Sequence, residues 1–131
     1  VRYLFDTGVW LWTAGSVSRL NPKAHDLLRD GTQELYFSAA SSWEIAIKAA
    51  IGKLTLPESP AIYVPRRLAA QGIQNLPIVN RHALAVHDLP RHHDDPFDRL
   101  LIAQAQTENM VVMTADKVFL KYKVDLLWCG R

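Results

Sequence analysis

Four acids in this chain stand where side chains do chemistry, at the ends of elements. Asp6 follows Arg2-Tyr3-Leu4-Phe5, Asp116 follows Met110-Val111-Val112-Met113 through Thr114-Ala115, Glu44 lies three residues after Ser41, and Asp98 belongs to DPFDRLLIAQA, residues 95–105. Each has a local explanation. An Asp after a strand caps the next helix or holds a turn. Ser41 to Glu44 has the spacing of a capping box, and Glu44 can pair with Lys48 at i+4. In DPFDRLLIAQA, Asp95 suits the cap, Pro96 the first helical position, and Asp98 the positive end of the helix dipole. Local explanations do not supply convergence. Should the four acids meet, their mutual repulsion calls for a cation, and hard oxygen ligands select Mg²⁺ or Mn²⁺. Such an ion can activate water and neutralise a phosphate under attack, and a second can steady the leaving oxygen. No Cys-x-x-Cys or His-x-x-x-His pattern offers zinc, and Asp6-Thr7-Gly8 lacks the Asp-x-Asp of a phospho-acceptor site.

The elements that must position these acids alternate. Short apolar runs rich in β-formers predict strands over residues 2–5, 35–37, 73–77 and 110–113, with 124–128 as a fifth at an edge. Between them Asn21-Pro22 to Gly31, Ser41 to Ile51 before Gly52, and Ser59-Pro60 to Gln71-Gly72 carry helix start and stop signals, with Pro65 kinking or splitting the last. Arg81 to Leu89 is a fourth helix, and the segment from Asp95 towards Asn109 a fifth. Strands alternating with helices predict an α/β fold with a parallel sheet covered on both faces. Ligands of such sheets bind beyond the carboxyl ends of the strands. With the first and fourth strands central, Asp6 and Asp116 emerge side by side, and Glu44 and Asp98 can point into the same place.

At 131 residues and 49% hydrophobic, the chain is expected to form a single domain over 1–131. Its 15 Lys+Arg against 13 Asp+Glu neither predict nor exclude a nucleic-acid partner. No apolar run approaches bilayer length, Asp6 comes too early for a signal peptide, and Cys129 has no second cysteine to pair with. A soluble, cytoplasmic protein without membrane contact is expected.

Taken in order, Asp6-Thr7, Ser38-x-x-Ser41-x-x-Glu44-Ile45-x-x-Lys48, His93-x-Asp95-Pro96-Phe97-Asp98-Arg99-x-Leu101-Ile102-Ala103-x-Ala105 and Thr114-x-Asp116 resemble the successive motifs of PIN-domain ribonucleases, in particular the VapC-type toxins of type II toxin–antitoxin pairs. The resemblance runs over essentially the whole chain. It implies a Rossmann-like sheet of strand order 3-2-1-4-5 and Mg²⁺- or Mn²⁺-dependent hydrolysis of RNA to 5′-phosphate and 3′-hydroxyl ends. Carried onto this sequence, it makes Asp6, Glu44, Asp98 and Asp116 the acidic site, with Asp6 and Asp98 direct metal ligands and Glu44 and Asp116 acting directly or through water. Thr7 and Thr114 would orient these carboxylates by hydroxyl hydrogen bonds. It further implies a homodimer and a cognate VapB-like antitoxin. Gly8 departs from the polar residue common in relatives, which removes a substrate contact there and leaves the metal site untouched. The competing class is a non-catalytic PIN-like RNA-binding or regulatory domain. Retention of all four acids speaks against it.

Arg99 and Lys48 are candidate RNA contacts, and Arg99 can equally pair with a neighbouring acid. His92-His93 reads as a loop entering the helix, because adjacent histidines diverge in most backbones. Trp10, Trp12, Trp43 and Trp128 can stack bases, but core or interface positions are the commoner use of such residues. Arg66-Arg67 fits both a solvated face and the arm that grips an antitoxin in relatives.

Overall fold

A strand apolar on both side-chain rows needs cover on both faces. The computed structural model, which describes residues 1–131, shows how that cover is arranged. Strand β1 is Arg2–Phe5, β2 Glu34–Ser38, β3 Gln74–Leu76, β4 Val111–Thr114 and β5 Leu126–Trp128. All neighbours pair in parallel in the order β3-β2-β1-β4-β5. The fold is thus the α/β, Rossmann-like sheet expected, with β5 at the edge.

Period-two alternation splits the core in two. Phe5, Leu35, Phe37, Met113 and Leu127 face α1 (Thr7–Gly15), α2 (Pro22–Arg29) and α4 (Pro60–Gln71) on one side. Leu4, Val112 and Leu126 face α6 (Pro96–Glu108) on the other. Helix α3 (Ala39–Ala50) serves both sides, with Ile45 in the first core and Ala40 in the second. Helix α5 (Asn80–Ala85) packs against α6. No helix is long and apolar enough to cross a membrane.

Several boundaries differ from expectation for physical reasons. Asp6-Thr7-Gly8 is not a free turn: α1 starts at Thr7 with Asp6 extended at its cap position. Helix α3 starts at Ala39, capped by the Ser38 hydroxyl, which accepts the Ala40 N–H at 3.0 Å. Ser41 therefore lies inside the helix and forms no capping box with Glu44. Helix α4 runs unbroken through Pro65, which forfeits a bond from its own missing N–H. Gly72 follows in the left-handed conformation (φ 68°) that ends a helix most easily when no Cβ is present. The expected helix 81–89 closes as α5 and a 3₁₀ turn over Val86–Asp88, because Pro90 disfavours helical backbone just before it.

Candidate active site

All four acids reach one cleft of about 750 Å³ at the carboxyl edge of the sheet. Asp6 sits just beyond β1, and its N–H donates to the Met113 carbonyl of β4 at 2.9 Å. The Thr114 hydroxyl donates to Asp6 Oδ2 at 2.9 Å and accepts the Asp116 N–H at 3.0 Å, so one residue at the end of β4 holds both strand-end acids. Asp116 Oδ1 in turn accepts the Val118 N–H at 3.0 Å, leaving its second oxygen free for the cleft.

The two acids of DPFDRLLIAQA divide their labour. Asp95 Oδ1 accepts the N–H groups of Phe97 at 2.8 Å and Asp98 at 3.1 Å, so Asp95 is the helix cap. Asp98 is thereby released from capping. Its Oδ2 meets His93 Nε2 at 2.8 Å, and one ligand atom from each of His93, Asp98 and Asp116 lies within 4.8 Å of the others. Glu44, one face of α3 away from the Ser38 cap, is 5% exposed. Its Oε2 accepts from Lys48 Nζ at 2.6 Å, while Oε1 is buried without any partner.

Burial and mutual repulsion set the charge state. Burial pushes the Asp98 carboxyl up to about 7, helped by the negative charge of Asp6 and opposed by the His93 hydrogen bond. Burial likewise raises Asp6 to about 6 against the pull of the Thr114 hydroxyl, with Asp116 and Glu44 adding to the rise. Lys48 is held above its usual value, chiefly by its hydrogen bond to Glu44. Near neutral pH the Asp98 carboxyl thus keeps its proton part of the time because burial disfavours the charged form, and a bound cation would displace that proton. An orphaned buried oxygen on Glu44 points the same way. Oxygen donors with one imidazole beside them fit a hard divalent cation such as Mg²⁺ or Mn²⁺.

Other side chains depart from expectation. The Thr7 hydroxyl donates to Ser41 Oγ at 2.7 Å instead of to a carboxylate, because Thr7 opens α1 facing α3. It ties the two helices and orients no acid directly. Arg99 pairs with no acid and does not line the cleft. Its guanidinium donates to the carbonyls of Val86, Leu89 and Pro90 and to the Tyr122 hydroxyl, and so clamps the loop before α6. Lys48 does line the cleft, joined at its rim by Lys53 and Lys117. His93 joins the site although its sequence context reads as loop. His92 turns the other way, edge-on to Tyr122 with ring centres 5.2 Å apart, so the two histidines do diverge. The signal for His93 was its place five residues before Asp98, within reach of a helix's first turn.

Trp10 is core, 1% exposed, and its indole N–H donates to Gln71 at 2.9 Å. Trp43 is exposed on α3 and meets Phe97 edge-on. Arg66 pairs with Glu58, and Arg67 lies over the Tyr63 ring with its Nε buried and unpartnered.

A 56-residue segment, 43% of this chain, is 41% identical to Ribonuclease VapC16 of Mycobacterium tuberculosis, of which it covers 40% of the length. The fold matches the VapBC2 structure from Rickettsia felis, bound to a promoter DNA fragment, with TM-score 0.74 at 12% identity, covering 99% of this chain and 100% of that one. It also matches VapBC-1 from nontypeable Haemophilus influenzae with TM-score 0.63 at 15% identity, covering 97% of each chain. The PIN domain family pattern extends over residues 3–125, which includes every acid of the cleft. The chain is a member of the PIN-domain family.

Proposed function

We propose that this chain is a Mg²⁺- or Mn²⁺-dependent endoribonuclease of the VapC type, the toxin of a type II toxin–antitoxin pair, acting as a single domain over 1–131. The observation that carries the reading is the convergence of Asp6, Glu44, Asp98 and Asp116 on one cleft in which a Glu44 oxygen is buried without a partner. Asp6, Asp98, Asp116 and Glu44 would hold the cation, with His93 beside them. When bound, the cation supplies the positive charge that makes water nucleophilic at neutral pH and neutralises charge on the phosphate.

This chain's own residues do the positioning. Thr114 keeps Asp6 in one rotamer, and Lys48 anchors Oε2 of Glu44 while Oε1 stays buried without a partner. Glu44 Oε1, having no donor of its own, is the acceptor for a proton from the attacking water. Lys53 and Lys117 at the rim offer ammonium groups to the flanking phosphates. As water oxygen bonds to phosphorus, the bond from phosphorus to the 3′ oxygen breaks. The phosphate stays on the 5′ end, and the 3′ oxygen leaves as a hydroxyl after taking a proton from solvent.

A homodimer and a VapB-like antitoxin partner belong to the same reading. Trp43 and Ile47 on α3 and Ile51 at its C-cap are exposed at a spacing of four residues, with Ile62 exposed on α4, an apolar surface of the kind that protein partners cover. The solved structures named above are of VapBC2 and VapBC-1, and a toxin–antitoxin complex from Klebsiella pneumoniae shares the fold. The test is cleavage of a structured RNA by the purified chain with Mg²⁺ or Mn²⁺ and with excess EDTA. Cleavage undiminished in EDTA sinks the metal mechanism. Glu44→Gln should lower the rate and weaken the Mg²⁺-induced thermal stabilisation together. Light scattering across micromolar concentrations tests the dimer, and co-purification with the product of the adjoining reading frame tests the antitoxin.

A further inference from the structure

A second hollow, of about 500 Å³, opens beside the acidic cleft and shares Trp12 and Ala115 with it. Its chemistry is the opposite. The walls carry Arg19, Arg131 and two half-buried indoles, Trp12 and Trp128, and no carboxylate side chain. Trp128 ends β5 in register with Thr114, the residue that holds Asp6. Since β4 lies between β5 and β1, Trp128 stands two strand spacings, about 10 Å, from Asp6, while Ala115 on the shared wall adjoins Asp116.

The hollow is built before any ligand arrives. Asn21 Nδ2 donates to the carbonyls of Trp128 at 2.8 Å and Gly130 at 3.2 Å, and the Asn21 N–H donates to Cys129 at 2.8 Å. Leu20 and Gly130 form an antiparallel bridge, and Arg131 Nε donates to the Ser18 carbonyl at 2.8 Å. These bonds hold the segment after β5 against residues 18–21, which fixes Arg19 beside the indoles. The Arg19 guanidinium lies 5.4 Å from the centre of the Trp12 ring, within cation–π range. A Cβ at Gly130 would come within 3.2 Å of Ala115 Cβ and 3.4 Å of Trp128 Nε1, so glycine is what lets the Trp128 indole lie against the chain.

Indoles interleaved with guanidinium groups match the alternation of base and phosphate in a single strand. An acidic peptide would use the arginines and leave the indoles idle, and an apolar one would meet two cations it cannot pair. We propose that this hollow holds the base and phosphate of a nucleotide flanking the scissile bond, on a single RNA strand that continues into the acidic cleft. The choice of RNA rests on the ribonuclease reading of that cleft.

The test measures binding by the full chain in EDTA, where cleavage does not interfere, with two fluorescent strands of equal length: an oligouridylate and an abasic ribose-phosphate strand. The wild type should prefer the base-bearing strand by roughly 5- to 150-fold, the range for stacking one base on an aromatic side chain. Trp128→Leu should lose most of that preference. Trp128→Phe should keep it while losing part of the indole quenching seen on binding, which preserves the test should the Leu variant fold poorly. Arg19→Gln should weaken both strands alike and flatten the salt dependence by about one phosphate contact. Equal affinity of the wild type for both strands, or a preference unchanged in a folded Trp128→Leu protein, overturns the proposal and leaves the hollow to a protein segment. Cleavage of RNA with Mg²⁺ is scored separately, so an intact nuclease without base preference refutes the hollow alone, and base preference without cleavage refutes the nuclease reading alone.

Discussion

Replacing Asp98 by Asn should make the metal-free protein more stable, and more so at high pH. The folded chain holds the Asp98 carboxyl at about 7 against an ordinary value of 3.8, because burial and the charge of Asp6 both disfavour its ionised form. That gap of about three pH units corresponds to ~4 kcal/mol at roughly 1.4 kcal/mol per unit. Below about pH 4 folded and unfolded chains both keep the proton, and ionisation costs nothing. Between about 4 and 7 the folded chain holds a proton that the unfolded chain has released, so stability falls as pH rises. Above 7 the full penalty is present and constant. Asn has the shape of the protonated acid and never ionises, so the variant escapes the penalty. The Asn amide makes a weaker bond to His93, which offsets about 1 kcal/mol of the gain. Asp98→Asn should therefore exceed the parent by about 2–4 kcal/mol at pH 8 and by no more than about 1.5 kcal/mol at pH 5. Urea denaturation in EDTA at the two pH values measures both gaps. Mg²⁺ at a hundred times its Kd should then stabilise the parent by about 2.7 kcal/mol and the variant far less. A variant no more stable than the parent at pH 8, or a gap equal at both pH values, refutes the assignment of Asp98 to a crowded acidic cleft.

Three further outcomes follow from single hydrogen bonds. Asp95→Ala removes the cap on the Phe97 and Asp98 N–H groups and should cost about 0.5–2 kcal/mol in a thermal melt, with EDTA-sensitive RNA cleavage retained. Asn21→Asp keeps the cap on the Ala24 N–H but turns an oxygen towards the Trp128 and Gly130 carbonyls, and should cost about 1–3 kcal/mol by denaturant unfolding while leaving α2 helical by hydrogen exchange. Ser38→Ala strips α3 of its cap and leaves Gln104 Oε1 buried without a donor, so it should cost about 1–3 kcal/mol and lower Mg²⁺ affinity together, whereas Ser38→Thr should restore both.

The alternation of strands and helices was legible because both rows of each central strand are apolar, a pattern that only a sheet covered on two faces satisfies. The strand order came through the family resemblance, and the sheet has that order. Side-chain assignments were legible only where the partner lies close in sequence. Asp95 could be read as a cap because the N–H donors it accepts from are two and three residues on, and the Glu44–Lys48 pair because it spans one helical turn. Choosing Ser38 over Ser41 as the cap of α3 was beyond any local window. The choice is made by where β2 stops pairing, at Ser38 opposite Leu76 of β3, a residue far along the chain. The partners of Arg99 were hidden for the same reason, since the carbonyls it donates to belong to a loop whose path depends on α5 and α6 packing together.

The relation between Glu44 and Asp98 shows where local reading stops. Nothing near either acid says that their helices meet. What joins them is a hydrogen bond of 2.5 Å from the Ser38 hydroxyl to Gln104 Oε1, both residues 0% exposed and 66 positions apart. Ser38 opens the helix that carries Glu44, and Gln104 lies on the helix that carries Asp98. The Gln104 amide continues to the Pro77 carbonyl at 3.3 Å and to His82 Nδ1 at 3.3 Å, and His82 Nε2 meets Glu108 Oε2 at 2.7 Å. A glutamine in an amphipathic helix reads from sequence as a solvated side chain. Here it is the buried link that brings two mutually repelling carboxylates to one cleft, and full satisfaction of that polar chain is what opposes their separation when no cation is bound.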